Sequence, residues 1–118
     1  MGMMSAASQE KAARYLVKVL EAKGGKVHYS EFYDGTEETA LRLYAGMGID
    51  EDEGDWIGAE GVMDEAAAEM EAQGYVRLIW HQGEELADGE PSYSIELTGK
   101  GCMMLKAGKS PKFRNLWL

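Results

Sequence analysis

Residues 74–101 read GYVRLIWHQGEELADGEPSYSIELTGKG, two β-prone runs separated by a turn-rich interval. Tyr75 to Trp80 is apolar and β-branched or aromatic in character, and Tyr93-Ser94-Ile95-Glu96-Leu97 alternates apolar with polar residues as a half-buried strand does. Gly83, Asp88-Gly89 and Pro91 lie between them and mark a long hairpin turn. Thr98 follows the second run in the position of a helix cap, before the apolar residues Cys102, Met103, Met104 and Leu105. The stretch therefore predicts a β-hairpin closed by a short helix.

Upstream of the hairpin the apolar period changes from two to about 3.6. From Trp56 it falls on Ala59, Val62, Met63, Ala66 and Met70, and Gly74 ends it, which predicts a helix. Thr36 followed by Glu37 and Glu38 has the form of a helix start, with acids at the positive dipole end, and that helix extends to about Ala45. The loop between these two helices, Gly46 to Asp55, is rich in acids. The first helix runs from Ser8 to Lys23, with Ala12, Tyr15, Leu16, Val19 and Leu20 on one face and Gly24-Gly25 as its stop. Lys26 to Tyr29 reads as a short strand, and Ser30 caps a brief turn that Asp34-Gly35 breaks.

With 118 residues, 45% of them apolar and 28% charged, the chain has the size and balance of one folded domain. The expected division is a domain over residues 8–106 and a basic, aromatic tail over residues 107–118. No run of about 18 apolar residues occurs, and Met1 to Gln9 lacks the cationic and apolar blocks of a secretory leader, so the expected location is the cytoplasm and no membrane is involved. A lone cysteine, Cys102, is incompatible with a disulfide-stapled scaffold.

The net charge of −9 comes from 12 basic and 21 acidic residues, and it is unevenly placed. Residues 34–76 hold thirteen acids against one base, Arg42, whereas no acid follows Glu96 and Lys100, Lys106, Lys109, Lys112 and Arg114 make the end of the chain cationic.

Helix, strand, helix, helix, hairpin and closing helix is the order of winged helix-turn-helix domains, and residues 8–106 resemble that superfamily. Gly74-Tyr75-Val76 before the hairpin carries the resemblance, together with Tyr93-Ser-Ile-Glu-Leu running into Thr98-Gly-Lys-Gly101, which is similar to the Tyr-x-Leu-Thr-x-x-Gly stretch of such regulators. It implies an α+β fold with a three-helix core, a β-hairpin wing and a short closing helix. It also implies that the third helix enters the DNA major groove. The charges oppose that role. The third helix carries Glu60, Asp64, Glu65, Glu69 and Glu71 with no Lys or Arg, and the hairpin turn carries Glu84, Glu85, Asp88 and Glu90. Each acid about 7 Å from a phosphate costs roughly 0.6 kcal/mol in water, so five cost up to about 3 kcal/mol. That is enough to erase weak nonspecific binding.

The expected function is therefore a non-catalytic winged-helix module that mediates protein–protein interaction in a regulatory role. Gly61, Ala68 and Ala72 form a smooth strip on the third helix, bordered by Glu60, Asp64 and Glu71 on one edge and by Glu65 and Glu69 on the other. Such a strip admits a partner with a basic or helical surface. Trp56 belongs either to that face, as an anchor, or to the core. Phe113, Leu116, Trp117 and Leu118 in the tail either pack back on the first helix or pair with a second copy as a homodimer. The alternative is a DNA-binding transcriptional regulator that uses a basic face of Lys11, Arg14, Lys18, Lys106, Lys109, Lys112 and Arg114. A third reading is a DNA mimic built on the acidic middle of the chain.

No enzyme is expected. The acidic run Asp50 to Asp55 does not fit an EF-hand, since the fifth, sixth and twelfth places hold Gly54, Asp55 and Gly61. Cys102 reads as a small core residue, and His28 and His81 lack Cys or His partners at ligand spacing. The glycines form no phosphate loop, no nucleophile–base pair assembles, and neither a cofactor nor a metal is implied.

Overall fold

The computed structural model describes residues 6–48, 58–85 and 91–109. Its elements follow the order α1 (Ala6–Ala22), β1 (Lys26–His28), a single 3-10 turn (Tyr29–Glu31), α2 (Glu37–Met47), α3 (Gly58–Ala72), β2 (Val76–Glu85), β3 (Pro91–Leu97) and α4 (Gly99–Lys106). The three strands form one antiparallel sheet in the order β1-β3-β2, with Val27 opposite Ile95 and Ile95 opposite Leu78. The fold is thus mixed α+β. Among the described residues no helix is long and apolar enough to cross a membrane.

Each helix stops where its sequence removes the next hydrogen bond or supplies a cap. α3 ends at Gly74, whose φ of 85° is open to glycine at no steric cost and lets the Tyr75 N–H return to the Met70 carbonyl at 2.9 Å. Thr36 caps α2 by accepting the Thr39 N–H at 3.3 Å. Asp34 holds that cap in place, accepting from the Thr36 hydroxyl at 2.6 Å, the Thr36 N–H at 3.0 Å and the Thr39 hydroxyl at 2.8 Å.

These bonds, the one from the Thr36 hydroxyl foremost, hold the Asp34 carboxyl below its ordinary value of 3.8. A lowered carboxyl stabilises the fold above its unfolded-state value, and that contribution disappears as pH falls through the folded-state value. Asp34→Asn should accordingly make the melting temperature less sensitive to pH below about 4 while leaving the slope near neutrality unchanged. Thermal melts of both proteins across that range check it; parallel curves on the acid side contradict it.

The core is built where α1 crosses α3 over the sheet. Ala12, Ala13, Ala66 and Ala67 are all fully buried, and their small side chains bring the two helices close. Around them pack Leu16 and Leu20 of α1, Val62, Met63 and Met70 of α3, and Val76, Tyr93 and Ile95 of the sheet. Leu43 and Met47 bring α2 into the same cluster. Burial at Val62, Met63, Ala66, Ala67 and Met70 is wider than the stripe expected for the third helix, because α3 meets both α1 and β2.

Three differences from the sequence reading have physical causes. β2 runs to Glu85 rather than ending at Trp80, because the ladder resumes at Glu85 opposite Pro91 after a register shift beyond His81. α2 extends to Met47, leaving ten residues, 48–57, before α3. Cys102 is exposed and not a core residue: α4 lays Gly101 and Met104 against the fold and turns Cys102 and Met103 outward.

Candidate functional site

The outward face of α3 exposes Ala68 and Ala72, with Gly61 half-covered, as the strip predicted from sequence. Its bordering acids are engaged within the fold. The Tyr93 hydroxyl donates to Asp64 at 2.5 Å, the Leu78 N–H donates to Glu71 at 2.9 Å, and Gln73 donates to Glu69 at 3.1 Å. Glu65 shares a hydrogen bond with Gln9 of α1, and partial burial pushes its carboxyl above the usual range. Asp64, Glu65 and Glu71 brace α3 against α1 and the sheet, which no reading of helix periodicity can reveal, since Tyr93 lies 29 residues from Asp64. The side chain of Glu60 lies outside the described residues, as do Trp56, the Asp50–Asp55 run and the tail positions Phe113, Leu116, Trp117 and Leu118.

The basic residues converge elsewhere. Lys11, Arg14 and Lys18 stand along α1 and face Lys109, just beyond the end of α4, across a cleft of about 430 Å³. Tyr15, Val17, Met47 and Leu105 supply its apolar lining, and among the described residues Glu21 is the one acid on its wall. Lys106 is exposed but does not line the cleft, and Lys112 and Arg114 fall outside the described residues. α2 comes close here through Gly46, where an added Cβ would stand 2.5 Å from the Tyr15 ring. The Tyr15 ring, covered on that side by α2, also meets Phe32 edge-on with centroids 6.1 Å apart.

The face of the sheet opposite Tyr93 and Ile95 carries a third cluster, whose serines are buried. Ser92, Ser94, His28 and His81 share it, with the two imidazoles stacked at 5.5 Å. His28 Nε2 lies 2.6 Å from the Ser92 hydroxyl, and His81 Nε2 lies 2.8 Å from that of Ser94. On its other side His28 Nδ1 accepts the Ser30 N–H at 3.1 Å and lies 2.8 Å from the Ser30 hydroxyl. Among the described residues no group of three His, Cys, Asp or Glu side chains could hold a metal ion.

A last cluster ties α4 to the turn after α3. Thr98 caps α4, accepting the Gly101 N–H at 3.1 Å, and donates its hydroxyl to the Gly74 carbonyl at 2.6 Å. Its N–H reaches the Tyr75 carbonyl at 3.1 Å, and Lys100 donates to the Gln73 carbonyl at 2.7 Å while lying over the Tyr75 ring. The two sequence motifs at 74–76 and 98–101 are therefore two halves of one clamp.

Comparison with protein-family models, with curated proteins and with solved structures gives no match.

Proposed function

We propose that this chain is a winged-helix module that binds protein in a regulatory role. The order α1-β1-α2-α3-β2-β3-α4 around a β1-β3-β2 sheet supports the winged-helix part of the reading. The observation that carries the function is the sign of α3. On the helix that such a fold presents to a DNA groove, every charged residue is an acid, and three of these acids are committed to holding α3 in place. They cannot be turned aside to admit phosphates without releasing α1 or the sheet. The protein-binding face is the strip of Gly61, Ala68 and Ala72.

A mobility-shift assay on random duplex DNA at about 50 mM salt, where phosphate-driven binding is strongest, tests this reading. No retention is expected up to about 100 μM protein. Salt-sensitive retention that disappears in an Arg14→Glu/Lys18→Glu variant would instead support the second reading, a DNA-binding regulator. What favours that reading is the convergence of Lys11, Arg14, Lys18 and Lys109 around one cleft. The variant that probes the α3 strip is Ala68→Arg/Ala72→Arg, because both alanines are exposed whereas Asp64 and Glu71 hold the sheet.

A further inference from the structure

We propose that the cleft between α1, α2 and the end of α4 seats an acidic amphipathic helix of another protein. This deepens the protein-binding reading but places the contact on the opposite charge surface from the α3 strip. Three features fix the chemistry of the occupant.

The first is charge. In a chain of net charge −9, the cleft gathers four cations against one acid among the described residues. Lys11, Arg14 and Lys18 recur at i, i+3 and i+7, so they line one side of α1 over about 10 Å, two helical turns. Carboxylates at the same spacing on a partner helix meet them in register.

The second is the apolar lining. Tyr15, Val17 and Leu105 are half-buried and Met47 is buried, so their surfaces offer a floor for leucine-like side chains and none for phosphates. The C-terminal ends of α2 and α4 also border the cleft, and the partial negative charge of a helix C-terminus weakens capture of an anion by charge alone. Apolar burial adds to the charge pairing, and the cations set the orientation.

The third is the cover over Tyr15. Base stacking by a single-stranded nucleic acid needs an open aromatic face, and Gly46 closes one side of this ring.

The test uses the full chain and a fluorescein-labelled 15-residue peptide with leucines on one helical face and glutamates on the other. Its control is a peptide of the same composition, scrambled so that the leucines no longer share a face. Anisotropy titrations should give a saturable signal for the first peptide and binding at least about tenfold weaker for the second. Arg14→Glu/Lys18→Glu changes two exposed side chains, leaves the fold intact, and should weaken the peptide about tenfold. Ala68→Arg/Ala72→Arg should leave it unchanged, which separates failure of the α3 reading from failure of this one. The inference is overturned by equal binding of the two peptides or by no signal up to about 1 mM. An unaltered affinity in the Arg14/Lys18 variant overturns it as well. So does a single-stranded oligonucleotide that binds more tightly than the peptide and loses affinity in the same variant. Sedimentation equilibrium showing a dimer that this variant dissolves would assign the cleft to a second copy of the chain, again against the inference.

Discussion

Gly101→Ala should lower stability by about 3 kcal/mol or more, although alanine is the better helix former by about 1 kcal/mol. Gly101 is buried in the first turns of α4, and a Cβ built there stands 2.2 Å from the Tyr75 carbonyl oxygen and 2.9 Å from a Leu97 methyl. Leu97 can rotate; the Tyr75 carbonyl cannot. That oxygen accepts the Thr98 N–H, and the two peptides before it are pinned by Thr98 on Gly74 and Lys100 on Gln73. α4 must lift, and each hydrogen bond it abandons costs about 1 kcal/mol. Gly99→Ala is the control within the same helix, since nothing lies within 4 Å of the Cβ it would add. It should be neutral or stabilising by up to about 1 kcal/mol. Urea midpoints that move in opposite directions for the two variants support the clamp; equal midpoints for Gly101→Ala and the parent chain reject it.

The glycine-rich end of the hairpin was legible as a motif because its spacing is local, yet its cause was not. Gly101 is needed by a backbone oxygen 26 residues away, and only the folded chain brings the two together. The same divide runs through the rest of the molecule. Helix limits and the Thr36 and Thr98 caps follow from neighbours within four residues, so sequence reveals them. Grouping Lys11, Arg14 and Lys18 needs only the helical period, but placing Lys109 opposite them needs the fold to bring the end of α4 to the same cleft. Asp64 and Glu71 sit on the predicted outer face of α3, while their use as braces depends on Tyr93 and on the backbone of β2. Cys102 was misread for the converse reason: apolar neighbours in sequence imply burial only when the helix is flanked on several sides, and α4 is covered on one.

Phe32→Ala should cost about 3–5 kcal/mol, a large share of the roughly 5–15 kcal/mol that holds a domain of this size together. Nothing in the period of residues 29–33 marks them as core, because a 3-10 turn repeats neither as a helix nor as a strand. Phe32 is nonetheless 2% exposed and stands first by volume among the fully buried side chains. Its ring meets Tyr15 and Tyr29 edge-on, both at 6.1 Å, and Tyr29 stacks on Tyr93 at 4.6 Å, which in turn touches Trp80 at 4.6 Å. The run of rings joins α1 through the 3-10 turn to β3 and β2. Removing the ring leaves a cavity beneath Tyr15, the same side chain on which Gly46 seats α2 and which floors the cleft. Phe32→Leu refills most of that space and should lose less than half as much. At the far end of the run, Trp80 is 57% exposed, and Trp80→Ala should cost about 1 kcal/mol or less. If urea unfolding ranks Trp80→Ala as the more damaging of the two alanine variants, the rings are a surface decoration of the sheet. The cleft then owes its shape to the helices alone.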